Sequence, residues 1–552
     1  MADRKENKSA FLVQGSILAI ASVISRIIGL VYRVPLTNII GDDGNNYYGA
    51  AFDIYNILLL ISSYSLPLAV SKLVAARMAK GERLNVLRVL RGALVFAFVT
   101  GSIAFFVVFY FADNLTALLA TPESYLALRV LGPTLLIVAV MGVIRGFFQG
   151  MGTMVPSAIS QVLEQIVNAI VSVACAYVLF NYGLTTAALL GNSEKRAEAF
   201  GAAGGTLGTG AGALTALIFL VLILVIFLTA FKTNVKKIPA RKQNVEAYSS
   251  IMVLLIFTIV PVLLSTTIYN ISSILDQGFF KNIALSQGYS EDDVSLWWGV
   301  FVGKYKVLIN VPIALASALA ASAVPSITRA FTAKDMTLVK QKIESALRFI
   351  MFLAFPCAVG LFVLASPILI LLFGDSREIG ASMIKAGALS IIFYSISTLS
   401  NAVLQGIDKM ALPVRNALAA LVLHLVVLFV MMFGFDMNIY AVIWSNTLFA
   451  LFMCIFNQIS IHRHVKFTQE IKKTFIYPAV SSLVMGVAVY AIYTLSMNLC
   501  GINAISTVFA IITGIAVYFV LITRLGGITA SELSSFPGGR TMVAILRKCR
   551  IM

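Results

Sequence analysis

The chain has 552 residues, of which 59% are hydrophobic and only 12% are charged. A typical soluble domain carries about 25% charged residues, so this composition supplies too few charges for the water-exposed surface of a globule of this size. The composition therefore excludes a soluble enzyme, a disordered protein and a coiled coil. It predicts an all-α polytopic membrane protein.

Apolar runs of membrane-spanning length recur along the chain. A helix needs about 20 largely apolar residues to cross a bilayer. The runs predict about 14 transmembrane helices, at residues 11–40, 49–76, 92–112, 125–148, 157–180, 206–231, 248–275, 296–323, 344–372, 382–406, 414–434, 438–461, 474–497 and 502–523. The polar segment Met1–Ala10 stands before a long first run, which favours a retained span over a cleaved signal peptide.

The excess of basic residues, 41 Lys and Arg against 24 Asp and Glu, lies mainly in alternate loops. One set of loops, together with both termini, holds 28 of the 41 basic residues, whereas the opposite set holds only Lys195, Arg196, Lys281 and Arg377. The positive-inside rule predicts that the first set and both termini are cytoplasmic. The net charge of +17 is thus interpreted as an orientation signal and not as a nucleic-acid-binding surface.

The remaining basic residues lie inside or at the edge of predicted spans, where a charge is costly and is by default a functional hypothesis. Arg26 and Arg33 are seven residues apart and share one face of the first span. Lys306 is predicted to face the interior, whereas Lys304 shares its side of the helix with apolar residues. We interpret such residues as an electropositive cavity for an anionic headgroup; the alternative is that they only pair with buried acids. The candidate substrate-binding residues are Arg26, Arg33, Lys72, Lys306 and Lys304.

Three acidic residues in the spans are candidates for ion coupling: Asp276, Glu164 and Asp53. Glu164 lies on one side of the fifth span with Ser157, Ser160 and Asn168. The preferred interpretation of Glu164 is structural, as a partner for Arg145 or another basic side chain. Asp276 lies close to the outer boundary, where a solvated helix end is an equal alternative. Four further basic residues are predicted to be interfacial anchors: Arg129, Arg145, Arg348 and Lys385.

Two segments 256 residues apart share a Gln-Gly-x-x-x-Met pattern, beginning at Gln149 and Gln405. Each follows the fourth span of its set and precedes the fifth, which predicts two six-helix lobes in parallel repeat plus two C-terminal helices. The predicted domains are an N-lobe at 1–246, a C-lobe at 247–466, a pair of helices forming a lipid-tail groove at 467–523 and a cytoplasmic basic tail at 524–552.

Several other classes of site are not predicted. The Gly303-Lys304 pair lacks the spacing of a P-loop, and no soluble stretch is long enough for a nucleotide-binding domain, so the chain is not expected to be an enzyme. The scattered histidines imply no metal site. Gly204, Gly208 and Gly212 have small-x-x-x-small spacing, which indicates close helix packing or, as the alternative, a flexible entry to the helix.

Three segments together resemble a known family. The run 145–165, Ser25–Gly29 in the first span and Val311–Ala320 in the eighth are similar to the SpoVB/YtgP branch of the polysaccharide-transport family. That branch is related to MurJ and Wzx within the superfamily of multidrug, oligosaccharidyl-lipid and polysaccharide exporters. The resemblance covers essentially the whole chain and agrees with the span count.

The resemblance implies a V-shaped pair of lobes that flips an undecaprenyl-pyrophosphate-linked saccharide from the inner to the outer leaflet by alternating access. For MurJ-like members the cargo is lipid II, the peptidoglycan precursor, and the last two helices hold its polyprenyl tail. Arg26 matches the helix-1 Ser-Arg motif and takes its headgroup-binding role by resemblance; Arg33 is shifted by one position. Asp276 resembles an acidic residue tied to sodium in some members, but His424 stands where its partners would lie.

The expected driving force is Na⁺ or, preferably, the membrane potential, and no cofactor is expected. The expected partners are the sugar lipid, membrane lipids and the cell-wall synthesis machinery, without nucleic acid, and the chain is expected to be a monomer in the bacterial cytoplasmic membrane. Competing functions are a Wzx-like flippase for another polysaccharide unit, a cation-coupled multidrug exporter and a non-transporting scaffold. A drug exporter should line its cavity with carboxylates, whereas this sequence places Arg and Lys there.

Overall fold

The computed structural model describes residues 2–190, 195–236 and 245–527. These residues form helices and turns and contain no strand, as the composition predicts. They divide into two compact units, with the boundary between Gly303 and Lys304. The predicted lobe boundary at 246/247 refers to the two repeated six-helix lobes, and it stays a prediction. Most of the predicted basic tail, residues 528–552, lies outside the described residues.

The first unit contains α1 to α8 within the described residues. These helices are α1 (Ala2–Leu59), α2 (Leu66–Ala79), α3 (Arg83–Leu118), α4 (Tyr125–Gly150), α5 (Val155–Leu190), α6 (Lys195–Lys236), α7 (Tyr248–Ser286) and α8 (Glu291–Val300). A break at Gly41, whose φ of 70° lies in the left-handed region that glycine tolerates, divides α1 into two parts. The break separates the first two predicted spans.

The second unit contains α9 to α16. These helices are α9 (Lys306–Thr332), α10 (Met336–Val363), α11 (Ala365–Phe373), α12 (Glu378–Gly406), α13 (Ala411–Phe429), α14 (Ile439–Val465), α15 (Tyr477–Cys500) and α16 (Asn503–Arg524). The predicted span 344–372 is in fact two helices, α10 and α11, which meet at Leu364. A π-helical turn, Phe301–Tyr305, precedes α9.

Twelve helical runs among the described residues are long and apolar enough to cross a membrane. One run, Ile20–Ala79, contains residues 20–40 of the first predicted span and all of the second, 49–76. The predicted span 248–275 begins with the shorter apolar segment Tyr248–Val260. In the most apolar window of α5, only 17% of the residues are buried inside the protein, as expected for a helix that faces lipid. The chain is a multi-pass membrane protein, and the count of about 14 spans stays a prediction.

Glycines bring α6 into close contact with α5. A Cβ atom at Gly208 would overlap Ser172, and one at Gly212 would overlap the backbone carbonyl of Glu164. Gly204 meets the backbone of α5 in the same way. The predicted function of this glycine spacing in helix packing is confirmed.

The two segments that share the Gln-Gly pattern have the same backbone hydrogen bonds. After α4, the N–H groups of Met151, Gly152 and Thr153 donate to the carbonyls of Phe147, Gln149 and Phe148. After α12, the N–H groups of Ile407, Asp408 and Lys409 donate to the carbonyls of Val403, Gln405 and Leu404. Gly152 (φ 87°) and Asp408 (φ 59°) are both left-handed, as in helix C-terminal caps. The sequence repeat is therefore also a repeat of local structure.

Candidate functional site

Two arginines lie on one face of α1. The side chain of Arg26 is exposed. Arg33 is half-buried, and its guanidinium carbon lies 4.1 Å from the ring centroid of Tyr48, in a cation–π contact. Its Nη1 atom is buried and has no hydrogen-bond partner among the described residues. Tyr48 thus restricts the Arg33 guanidinium and one of its N–H groups is unsatisfied, while the role of Arg33 in binding an anion stays a prediction.

A polar seam joins α1 to α5 beside these arginines. The Ser22 hydroxyl donates to Gln161 Oε1 at 3.2 Å, and Asn168 Nδ2 donates to the Tyr32 hydroxyl at 3.3 Å. Asn168 is itself buried. The predicted polar stripe of the fifth span therefore faces the interior of the first unit, while the apolar side of α5 faces outward.

Glu164 in this stripe forms an ion pair with Arg145 of α4, with 2.8 Å between Oε2 and Nη2. Arg145 Nε also donates to Ser160 Oγ at 2.9 Å. The prediction of Arg145 as an interfacial anchor is wrong, because its side chain is 12% exposed and satisfied by α5. The pairing expected for Glu164 is present; its role as a coupling carboxylate stays a prediction.

The other two acidic candidates belong to the first unit as well. Asp53 of α1 accepts a hydrogen bond from Ser273 of α7 at 3.1 Å. When the side-chain amide of Gln277 is oriented so that its nitrogen and its oxygen both have hydrogen-bond partners, the nitrogen donates to Asp53 at 3.3 Å. Asp276 is buried next to Gln277. Lys72 lies on the exposed side of α2.

A buried lysine that was predicted to be in a loop organises this end of α7. Lys281 is 1% exposed and donates to the Asn46 side chain and to Thr121 Oγ1, the latter at 2.6 Å. The Nζ atom of Lys281 lies 5.9 Å from the ring centroid of Trp298 in α8, in a cation–π contact. The sequence missed Lys281 because the predicted span ends at residue 275, whereas α7 continues to Ser286. The sequence did contain one signal for it: Gln277 and Lys281 are four residues apart, so they would lie on one face of a helix that continues past residue 275.

Lys304 and Lys306 belong to the second unit. The sequence predicts Lys306 on the inner side, but Lys304 is the more buried of the two, with an exposure of 6%, and Lys306 is half-buried. Lys304 Nζ forms an ion pair of 2.6 Å with Asp375, which Arg377 also contacts at 2.7 Å. The π-helical turn at 301–305 changes the register that an α-helical count assumes, and the inward face predicted for Lys306 stays a prediction.

Asp375 lies between α11 and α12, outside the spans. Burial raises its pKa, but hydrogen bonds from Arg377 and Lys304 outweigh that effect, so that the pKa is held below its usual range. Asp375 is thus ionised at neutral pH, and Lys304 has a structural counter-ion. The structure therefore places Arg26, Arg33, Asp53, Glu164 and Asp276 in the first unit, and it gives Lys304 of the second unit a carboxylate partner in Asp375.

The described residues contain no group of three or more His, Cys, Asp or Glu side chains that could hold a metal ion. The arginines of α1 can bind an anion through their guanidinium N–H groups.

Comparison with known proteins agrees with this picture. A family model described as "Polysaccharide biosynthesis protein" matches residues 12–331, and a second one described as "MatE" matches residues 307–430. The lipid II flippase MurJ of Bacillus subtilis (strain 168) is 27% identical over 507 residues, which cover 87% of this chain and 88% of that protein. Stage V sporulation protein B of the same organism is 27% identical over 433 residues, covering 77% and 78%.

A solved structure of the lipid II flippase MurJ in an inward closed conformation has the same fold. The two structures superpose with a TM-score of 0.65 at 15% sequence identity, covering 91% of this chain and 97% of that one. At this identity the likeness concerns the fold alone.

Proposed function

The chain belongs to the polysaccharide biosynthesis protein family, and from this premise we propose that it is a flippase for an undecaprenyl-pyrophosphate-linked saccharide. Its relatives are transporters of the superfamily that includes MurJ, so the chain is a membrane transporter and not an enzyme. The proposed cargo is lipid II, moved from the inner to the outer leaflet by alternating access. The name of the MurJ relative, similar over 87% of this chain, supports this choice.

The observation that carries the proposal is the pair of arginines on α1. Arg26 is exposed, and Arg33 is held by Tyr48 with a buried Nη1 atom that has no hydrogen-bond partner among the described residues. A pyrophosphate has several charged oxygen atoms and can accept hydrogen bonds from two guanidinium groups at once. The seven-residue spacing corresponds to a rise of about 10 Å, which two long side chains can bridge by converging on one headgroup.

A multidrug exporter for organic cations is the weaker alternative, although the MatE model matches residues 307–430. Such a cargo requires available carboxylates. Glu164 is instead engaged by Arg145 at 2.8 Å, and Asp53 accepts from Ser273 at 3.1 Å. A Wzx-like flippase for another polysaccharide unit would bind a headgroup of the same chemistry. Only a transport assay with each cargo therefore distinguishes it from a lipid II flippase.

The proposed drive is the membrane potential. Moving one charge across 100 mV is worth about 2.3 kcal/mol, so a headgroup with two negative charges gains about 4.6 kcal/mol on leaving a negative interior. Na⁺ coupling through Asp276 is the alternative. Flipping in vesicles after the potential is collapsed by an ionophore separates the two: undiminished flipping in Na⁺ buffer, with loss of flipping in K⁺ buffer, would overturn the potential as the drive.

The proposed place for the polyprenyl tail is beside α15 and α16. An apolar cavity of about 550 Å³ lies between these helices, α9, α10 and α11, and it is lined by residues such as Pro356, Gly360, Val489 and Ile515. A polyprenyl chain is apolar along its length, so it requires a wall without charge. The single substitution Ile515→Asn should weaken cargo transport while it leaves the headgroup site at the α1 arginines intact.

The function is tested by complementation of a strain depleted of its lipid II flippase. The wild-type chain should restore growth, and Arg26→Ala and Arg33→Ala should not, at equal membrane abundance. Arg91→Ala provides a matched control, since Arg91 is an exposed arginine in the third turn of α3. Arg33→Lys should fail as well, because an ammonium has neither the planar stack on Tyr48 nor the forked donors.

A chain that restores growth equally well with both arginines replaced would refute the assigned headgroup site. A wild-type chain that fails to restore growth, but flips another polyprenyl-linked saccharide in vesicles, would refute lipid II as the cargo while keeping the flippase function.

A further inference from the structure

The second unit has an apolar groove with one charged side chain in its wall. The groove, of about 700 Å³, lies between α10, α12 and α15. Its wall consists of apolar residues such as Phe362, Leu389, Leu483 and Val487, and of Lys385 of α12. Phe362, Leu483 and Val487 are more than half exposed, so this wall is not covered by other parts of the unit. In a membrane protein, lipid chains cover such a surface.

Lys385 belongs to the wall of the groove and not to the interior of the unit. Lys385, Leu389 and Ile392 follow one another at intervals of four and three residues, which places them on one helix face. Gly387 lies on the opposite side of α12, where the ring of Tyr305 occupies the space that a side chain would take. The exposed ammonium of Lys385 thus leaves α12 toward the groove.

Lys385 differs from the three other basic residues that the sequence predicted to be interfacial anchors. Arg129, Arg145 and Arg348 each have a carboxylate partner within 2.8 Å, namely Asp113, Glu164 and Glu344. Lys385 has no ion pair or hydrogen bond with any residue that the structure describes. The acid on the same face, Glu378, is seven residues or about 10 Å of helix rise away, which is too far for an ion pair. A cation beside an apolar wall is costly unless an anion from outside the protein neutralises it.

We propose that this groove binds an anionic glycerophospholipid, whose acyl chains lie along α10 and α15 and whose phosphate contacts Lys385. Trp444 and Tyr490, which also line the groove, provide N–H and O–H groups suited to the ester region of a lipid. The apolar cavity beside α16 provides a contrast, because its lining contains no charged residue. That cavity should bind the apolar chain of a lipid without preference for the headgroup.

The test uses the purified full-length protein in detergent and compares phosphatidylglycerol with phosphatidylcholine of the same acyl chains. Bound lipid is counted by native mass spectrometry, and thermal unfolding is followed during the titration. Phosphatidylglycerol should bind with a defined stoichiometry and raise Tm in a saturable manner. Lys385→Met should weaken half-saturation at least tenfold, because it removes the charge-assisted bond to the phosphate. Lys342→Met, at an exposed lysine of α10 outside the groove, should leave binding unchanged.

Ala386→Phe is a second variant that keeps the lysine and fills the groove. It should reduce binding of the lipid while Tm without added lipid stays within the range of the control variant, which shows that the protein has folded. Equal binding of both phospholipids, or unchanged binding by Lys385→Met, would overturn the proposal. Displacement of phosphatidylglycerol by a polyprenyl phosphate at a tenfold lower concentration would also overturn it, since the groove would then belong to the cargo.

Discussion

Replacing Asp375 by Asn should destabilise the second unit more than replacing either of its basic partners. Asp375 and Lys304 are 8% and 6% exposed and are joined by an ion pair of 2.6 Å. Removing one partner of a buried pair typically costs about 3–5 kcal/mol, because the remaining charge stays buried without its counter-ion. Asp375→Asn would leave the Lys304 ammonium in that situation, so a loss of about 3–5 kcal/mol is expected.

Lys304→Met should cost only about 1–2 kcal/mol, since it removes a bond without leaving a bare charge. Arg377 continues to bind Asp375 through its side chain at 2.7 Å and 2.9 Å and through its backbone N–H at 3.0 Å. The double variant Lys304→Met, Asp375→Asn should be more stable than Asp375→Asn alone, because it removes the unpaired ammonium.

The same pair predicts a dependence on pH. Hydrogen bonds from Arg377 and Lys304 hold the pKa of Asp375 below its usual range in the folded protein. A carboxyl with a lowered folded pKa contributes stability that is present above its unfolded pKa, about 3.9, and is lost as the pH falls through the folded pKa. The wild-type chain should therefore lose part of its advantage over Asp375→Asn below about pH 4.

Thermal unfolding of the purified variants in detergent measures these differences. For a unit of this size, about 1 kcal/mol shifts Tm by about 2–4 °C, so Asp375→Asn should unfold at least about 6 °C earlier than the wild type. Equal Tm values for the wild type and Asp375→Asn would refute the structural role of the pair. Lys304→Met with an unchanged Tm but without transport would restore Lys304 as a substrate-binding residue.

Three further predictions concern the first unit and helix packing. Glu164→Gln should lower stability by about 1–3 kcal/mol through loss of its bond to Arg145, with transport retained if Glu164 is structural and abolished if it is a coupling carboxylate. Gly208→Ala should lower Tm by the equivalent of about 1–3 kcal/mol because α5 leaves no room for a methyl group, whereas Gly360→Ala, where the space is open, should raise stability by up to about 1 kcal/mol. Lys281→Met should leave buried oxygen acceptors, the Asn46 side chain among them, without their donor and cost about 2–4 kcal/mol. Hydrogen exchange in α7 and α8 would detect this loss as faster opening.

Hydropathy and small-residue spacing predicted much of the fold because both depend on local sequence. Apolar runs located the helices, and the spacing of Gly204, Gly208 and Gly212 located a close helix contact. The polar stripe of α5 followed from counting residues along one regular helix. In each case the prediction needed only the period of an α-helix and the identity of neighbouring residues.

Contacts that depend on helix irregularity or on distant partners could not be predicted in this way. A regular helical count placed Lys304 beside apolar residues, but a π-helical turn precedes α9, and Lys304 has a buried partner in Asp375, 71 residues away. Lys281 was placed in a loop because the end of α7 is set by tertiary hydrogen bonds to Asn46 and Thr121, which are over 150 residues away. A hydropathy profile ends a span at the first polar residues, whether or not they find buried partners.

The first of the two repeated Gln-Gly segments takes part in close helix packing. Gly146 and Gly150 of the first copy face the backbone of α2, where Pro67 and Ser71 leave no space for a side chain. Arg145 in that copy corresponds to Asn401 in the second, 256 residues later.

Around Asn401 the second copy replaces the ion pair by neutral groups. Asn457 donates to Asn401 at 2.7 Å and to Ser400 at 2.9 Å, and it accepts from Asn416 at 2.9 Å. A neutral amide network and an Arg–Glu pair can therefore stabilise the same connection, because either one satisfies the buried polar groups. The charge of Arg145 is not required by the turn itself, and it is cancelled by Glu164. The cationic character assigned to the first unit thus depends on α1, where Arg26 and Arg33 are the residues to test.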